Sequence, residues 1–252
     1  MIIFKSPDEI EKMRRAGRIV ALTIDRLIEA VRPGITTSDL DRSAERIIQG
    51  EGALPSFKGY RGFPATICTS LNEQVVHGIP GWRILEAGDI LSLDVGAIWE
   101  GYHADSAVTV FVDGSPSDVA TRLVDVTARS LEAGISRLNA GGRLGDVGHA
   151  VQQVVEDAGF SVVREYAGHG VGRALHEDPQ VPNYGEPGRG PQVKPGLVVA
   201  IEPMVNVGDW PTRVLADRWT VVTADGSHSA HFEHTVAVTD EGPEVLTRRG
   251  SA

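Results

Sequence analysis

The chain has 252 residues, 41% hydrophobic and 23% charged, enough to bury a sizeable core and with no run approaching the roughly 20 apolar residues of a membrane span. Its formal net charge of −10 (24 − 34) excludes a broad nucleic-acid-binding face and a DNA-binding role. The single cysteine, Cys68, excludes an internal disulfide and a thiolate metal cage, and it fits a reducing, cytoplasmic setting.

The N-terminal segment alternates charged and apolar residues, unlike a secretory or transit signal. Lys12, Arg14, Arg15 and Arg18 cluster within it. They read as the solvated face of an amphipathic helix, with a transient ribosome contact as the alternative. That helix is predicted from Ser6 as N-cap, Pro7 at the first helical position and Glu9 closing a capping box. Ile10, Met13, Gly17, Val20, Ile24, Leu27 and Val31 follow at helical spacing, and Pro33-Gly34 ends it. A second helix is expected over about 38–49, with Leu40, Ala44, Ile47 and Ile48 on one face. Strands and turns dominate 65–112, where 89–98 and 103–112 read as neighbours joined at Trp99-Glu100-Gly101. Helices are predicted again over about 116–138 and 146–158, separated by Gly141-Gly142, and strand-like segments fill most of the remainder.

This order repeats itself. Gly34, Asp39, Leu40, Ile47, Ile48 and Gly52 match Gly141, Asp146, Val147, Val154, Val155 and Gly159 at an offset of 107 (141 − 34). Gly88, Ile90, Leu91, Leu93 and Asp94 match Gly196, Val198, Val199, Ile201 and Glu202 at 108 (196 − 88). His103-Ala104-Asp105 pairs with His231-Phe232-Glu233 at 128 (231 − 103), so the second hairpin should carry a longer connection. One helix-helix-sheet unit therefore occurs twice, over about 1–113 and 114–252. The expected architecture is α/β (α+β): a single domain, 1–252, with an internal pseudo-twofold repeat and a shared antiparallel sheet covered by helices.

Duplication puts acids in corresponding places. Asp94 and Asp105 fall on neighbouring strands of one hairpin, and Glu202 and Glu233 on the matching strands of the other. A carboxylate ending an apolar strand such as Ile90-Leu91-Ser92-Leu93 is costly to bury unless paired or metal-bound. Any one such acid is more often a surface residue, but four at repeat-equivalent positions are not readily explained that way. His77, in Val-His-Gly-Ile-Pro, and His169, in Gly-His-Gly-Val-Gly, also look equivalent, at an offset of 92 (169 − 77). His176 follows seven residues (176 − 169) after His169. Carboxylates with one imidazole favour divalent Mn, Fe, Co or Zn, and five ligands, some bridging, suit two ions about 3.5 Å apart.

Asp94, Asp105, His169, Glu202 and Glu233 resemble the Asp-Asp-His-Glu-Glu metal ligands of the methionine aminopeptidase family. The resemblance covers nearly the whole chain. It is strongest in Asn72-Glu73-Gln74-Val75-Val76-His77-Gly78-Ile79-Pro80, Gly168-His169-Gly170-Val171-Gly172-Arg173, Ala200-Ile201-Glu202-Pro203-Met204 and Phe232-Glu233-His234-Thr235. The 33 residues (202 − 169) from His169 to Glu202 lack the insertion of type II members, so the chain resembles type I.

The resemblance implies the pita-bread fold and hydrolytic removal of the initiator methionine from nascent chains, with a small second residue preferred. It implies that Asp94 chelates one metal, that His169 and Glu202 chelate the other, and that Asp105 and Glu233 bridge. Glu202 would also shuttle a proton for the attacking water. His77 would contact the nitrogen side of the scissile bond, and His176 would stabilise the oxyanion. Phe57, Tyr60, Phe63, Cys68, Leu175 and Trp219 occupy positions like those of the family's pocket for the methionine side chain. Phe57 stands where other members often carry Cys or a small residue, and Leu175 where many carry Phe. A monovalent cation near Asn72 and Ser229, and a monomeric state, are further expectations.

The competing readings are a proline-specific aminopeptidase of the same fold and a binding module that kept the fold without catalysis. Proline-type relatives usually add an N-terminal domain and carry Gly after Glu-Pro, where this chain has Glu202-Pro203-Met204. A creatinase-like enzyme would lack the metal ligands.

Overall fold

The computed structural model describes residues 1–114 and 116–250; Ser115 and the last two residues of the second predicted repeat lie outside the described residues. Helix α1 spans Pro7–Ala30 and α2 spans Thr37–Gly50. Both start on capping boxes, Ser6 with Glu9 and Thr36 with Asp39, each satisfying amides the helix leaves unpaired. The second box sets the start of α2 at Thr37, one residue before the predicted position. Strands β1 (Leu54–Pro55), β2 (Ile67–Leu71), β3 (Gln74–Val76), β4 (Ile90–Trp99) and β5 (Tyr102–Phe111) complete the first half. The β4–β5 hairpin pairs Trp99 with Tyr102, leaving Glu100 and Gly101 at positive φ in a tight turn.

The second half repeats this plan with α3 (Asp118–Arg137), α4 (Leu144–Asp157), β6 (Ser161–Val162), β7 (Gly168–Gly170), β8 (Glu177–Val181) and β9 (Val198–Ile201). Before β9 finds its hairpin partner, the chain inserts β10 (Met204–Asn206), β11 (Thr212–Val214), β12 (Val221–Thr223) and β13 (Ser229–His231). Strands β14 (Glu233–Thr239) and β15 (Gly242–Val245) follow. The longer connection expected in the second hairpin is this insertion. Its β12 pairs with β3 and its β10 with both β13 and β6.

The main sheet is antiparallel and runs β1-β4-β5-β14-β9-β7-β8, with β2 added on β4 and β15 on β14. The seam between β5 and β14 relates β4-β5 to β9-β14. The repeat also shows in the turns: Gly34 and Gly141 both have φ of 91°, a left-handed conformation that favours glycine.

The helices cover one face of the sheet. Ile19, Ile24 and Leu27 of α1 and Leu40 and Ile48 of α2 pack with Leu91, Leu93 and Val95 of β4. Leu131 and Ile135 of α3 and Val147 of α4 pack with Val199 and Ile201 of β9 and Val236 and Val238 of β14. Each such buried side chain contributes about 1.5–3 kcal/mol relative to exposure. Strand alternation sends the intervening residues to the opposite face, and Asp94 on β4 is one of them.

Candidate metal centre and substrate pocket

Two adjacent rows cross the uncovered face. In one, Cys68 pairs with Asp94, Asp94 with Ala107, and Ala107 with Glu233. Glu202 follows the last residue of β9, Ile201, which pairs with His234, so it extends this row past Glu233. In the other, Asp105 faces Gly96 on one side, Thr235 faces Ala200, and Ala200 faces His169. Thr235 lies beside Asp105 across the seam, its hydroxyl 3.0 Å from the Asp105 carboxylate. The strand register thus gathers Asp94, Asp105, His169, Glu202 and Glu233 from five segments spread over 140 residues (233 − 94 + 1) of chain.

One ligand atom from each of Asp105, His169 and Glu233 lies within 4.8 Å of the others, and all three residues are buried. His169 Nε2 is 3.5 Å from Asp105 Oδ2 and 3.7 Å from Glu202 Oε1. His169 Nδ1 lies 2.9 Å from the Gly170 carbonyl, which can only accept, so Nδ1 carries the proton and Nε2 presents a lone pair to the acids. Burial holds the His169 imidazole down at about 4, keeping it neutral.

The carboxylates show the opposite strain. Burial and then the charge of Asp105 push Asp94, Glu202 and Glu233 well above the ordinary carboxylate value. Burial raises Asp105 as well, partly offset by its hydrogen bond with Thr235. Asp94 Oδ1 is buried without a hydrogen-bond partner among the described residues. Four crowded acids, two buried and two half-buried, with no lysine or arginine paired to them among the described residues, form a set that cations would neutralise, and oxygen-rich donors with one imidazole suit borderline divalent ions. The donor set therefore fits the metal the sequence implied.

A cavity of about 140 Å³ opens beside these acids. Phe57, Tyr60, Phe63, Cys68, Leu175 and Trp219 line it, together with His77, His176 and the five candidate ligands. Phe63 meets Trp219 edge-on at 5.0 Å, and Tyr60 stacks on His176 at 5.2 Å. His176 in turn lies 4.1 Å from the His169 ring. Every residue singled out from the sequence for catalysis, divalent metal or substrate is at this one place. Asn72 and Ser229 meet elsewhere, the Ser229 amide donating to the Asn72 carbonyl at 2.9 Å.

The apparent equivalence of His77 and His169 does not hold in three dimensions. His169 pairs with Ala200, whose repeat partner at offset 108 (200 − 92) is Ser92, and Ser92 pairs with Ser70. Ser70 is therefore the counterpart of His169. His77 follows β3, on the far side of a turn, at a φ of 60°. Gly78 beside it passes so close to β2 that a Cβ would sit 2.1 Å from the Thr69 carbonyl.

Sequence reasoning missed Arg61, which also lines the cavity, and His231. His231 Nε2 is buried, without a hydrogen-bond partner among the described residues, and lies 3.8 Å from Glu202 Oε2. Burial, with His77 nearby, holds its imidazole at about 3. Its place two residues before Glu233, at the end of β13, was the available signal.

The model of metallopeptidase family M24 matches residues 11–240, and the chain belongs to that family. Its fold is accordingly the family's pita-bread fold, an α/β architecture around a curled antiparallel sheet. Within the family it is a member of the methionine aminopeptidase group. It is 56% identical over 248 residues to "Methionine aminopeptidase 1" of Bacillus subtilis, covering 98% of this chain and 100% of that protein. It is 54% identical to "Methionine aminopeptidase" of Clostridium acetobutylicum, covering 98% and 99%. The crystal structure of methionine aminopeptidase from Thermotoga maritima is similar with a TM-score of 0.97 at 48% identity, covering 99% of this chain and 100% of that one. Prolidase from Pyrococcus furiosus, at 22% identity and a TM-score of 0.79 over 66% of its own length, shares the fold alone.

Proposed function

We propose that this chain removes methionine from the N-terminus of polypeptides with a small second residue, acting on nascent chains in the cytoplasm. Asp94, Asp105, His169, Glu202 and Glu233 would hold two divalent cations. When bound, such ions supply Lewis acidity toward the scissile carbonyl and acidify the attacking water. Glu202, just past the end of β9 and 3.8 Å from His231 Nε2, would accept that water's proton. His176 stands over the acids, stacked on Tyr60, where it can donate to a developing oxyanion. His77 reaches the cavity from the side of Trp219 and fits a contact with the scissile nitrogen. The methionine side chain would enter the apolar part of the cavity between Phe63, Cys68, Leu175 and Trp219. A thioether adapts well to such an aromatic and aliphatic slot.

One observation carries this reading: the four acids and one imidazole meet beside an apolar cavity of about 140 Å³. The test is hydrolysis of Met-Ala-Ser by purified protein with added Mn or Co. Release of methionine, with no cleavage of Ala-Pro dipeptides, is the expected result. Cleavage of the proline substrates would favour the proline-specific alternative, and release of nothing would favour a binding module. His176→Ala should lower kcat by about 10²–10³-fold, the range for losing an oxyanion donor, and leave metal content unchanged.

A further inference from the structure

The first residues of the chain reach the site through one buried charge pair. Lys5 Nζ lies 2.7 Å from Glu177 Oε2, and their side chains are only 3% and 8% exposed. Lys5 also donates to the Ile3 carbonyl at 3.0 Å, and its backbone amide donates to Gly196 O at 2.7 Å, just before β9. The other oxygen of Glu177, Oε1, accepts from the Ala174 amide at 3.2 Å. Glu177 therefore ties a lysine from the N-terminal arm to the loop that carries Leu175 and His176. The contact is close: a Cβ at Gly172 would lie 2.6 Å from both Lys5 Cε and Glu177 Oε1. At its other end the loop is pinned by the His103 amide, which donates to Gly172 O at 2.8 Å, two residues from Asp105.

Neither Lys5 nor Glu177 lines the cavity. A buried ion pair is a weak source of stability compared with well-packed apolar residues, and its best-attested use is to select one arrangement. Here the arrangement is that of the neighbouring His176, whose ring must hold its place between Tyr60 and His169. We propose that the buried Lys5–Glu177 pair is a positioning device that sets the 172–177 loop and, through it, His176 in the substrate site. Its kinetic consequence rests on the aminopeptidase reading above; its geometric consequence does not.

The test compares Lys5→Met with wild type and with Lys5→Arg, each full-length and metal-loaded, well below its melting temperature. Should Lys5→Met fail to fold, Lys5→Gln takes its place, keeping a donor of similar reach without the charge. The His176 imidazole resonance, assigned through its loss in His176→Ala, reads the ring's placement with or without turnover. Lys5→Met should shift that resonance and lower kcat on Met-Ala-Ser by about 10- to 100-fold, the scale for misplacing a catalytic group by about 1 Å. KM and metal content should change little, and Lys5→Arg should recover part of kcat. On a His176→Ala background the same change should cost almost nothing further, because both substitutions remove one function. An unmoved resonance in Lys5→Met overturns the proposal, as does an equal loss of kcat on both backgrounds. If wild type releases no methionine, the aminopeptidase reading fails and the resonance alone decides the positioning role.

Discussion

Thr235 and Asp105 face each other across the seam between the two halves of the sheet. The Thr235 hydroxyl accepts from the Asp105 amide at 3.0 Å and lies 3.0 Å from the Asp105 carboxylate. Replacing it with valine keeps the shape and removes the hydroxyl. Outer partners of metal ligands typically carry about 10- to 100-fold in affinity. Thr235→Val should weaken binding of Mn or Co by that range and cost about 1–3 kcal/mol of stability through the stranded amide. Calorimetric titration of the metal and a thermal melt would check both; unchanged affinity would remove Thr235 from the site's support.

Ala107 sits between Asp94 and Glu233 in the same cross-strand row and is 2% exposed. A larger side chain there would fill the space the two acids share. Ala107→Leu is expected to cost about 1–3 kcal/mol by overpacking and to lose bound metal and methionine release together. Elemental analysis beside the activity assay reads this directly.

Metal removal should be felt by the whole molecule. Burial and mutual repulsion already raise Asp94, Glu202 and Glu233 far above ordinary carboxylates. A ligand that binds only the folded chain at 100 times its Kd adds about 2.7 kcal/mol. Dialysis against a chelator should abolish activity and lower the melting temperature by several degrees, and added Mn should restore both.

The substrate pocket has its own test. A Cβ on Gly96 would lie 2.6 Å from Phe57 Cε1 and 2.8 Å from Ser56 Cβ. Gly96→Ala should push the Phe57 ring toward the cavity and raise KM for methionyl peptides by about tenfold, or about 1.4 kcal/mol of lost binding. Metal content should stay as in wild type. An unchanged KM would place Phe57 outside the methionine slot.

Much of this was readable before any coordinates. Ser6 and Glu9 announce the first capping box because capping is a local matter of three residues. The β4–β5 hairpin is equally local, and the duplicated turns left glycines at fixed offsets. The acids could be grouped because the repeat carried them into matching positions. What escaped depends on register between distant strands. Nothing near His77 tells that β3 pairs with β12, or that Ser70 is the residue matching His169. His231 escaped for the same reason: its approach to Glu202 follows from the pairing of His231 with Met204, set by an insertion absent from the first half. Several basic residues of α1 are paired within the chain, Lys12 with Glu100, Arg14 with Glu244 and Arg15 with Glu51.

Asp94 and Asp105 lie in the first half of the chain; His169, Glu202 and Glu233 lie in the second. Neither half alone holds all five candidate ligands. An ion seated among them would act as a rivet through the join, so that cohesion of the two halves and chemical competence become a single property, gained and lost together.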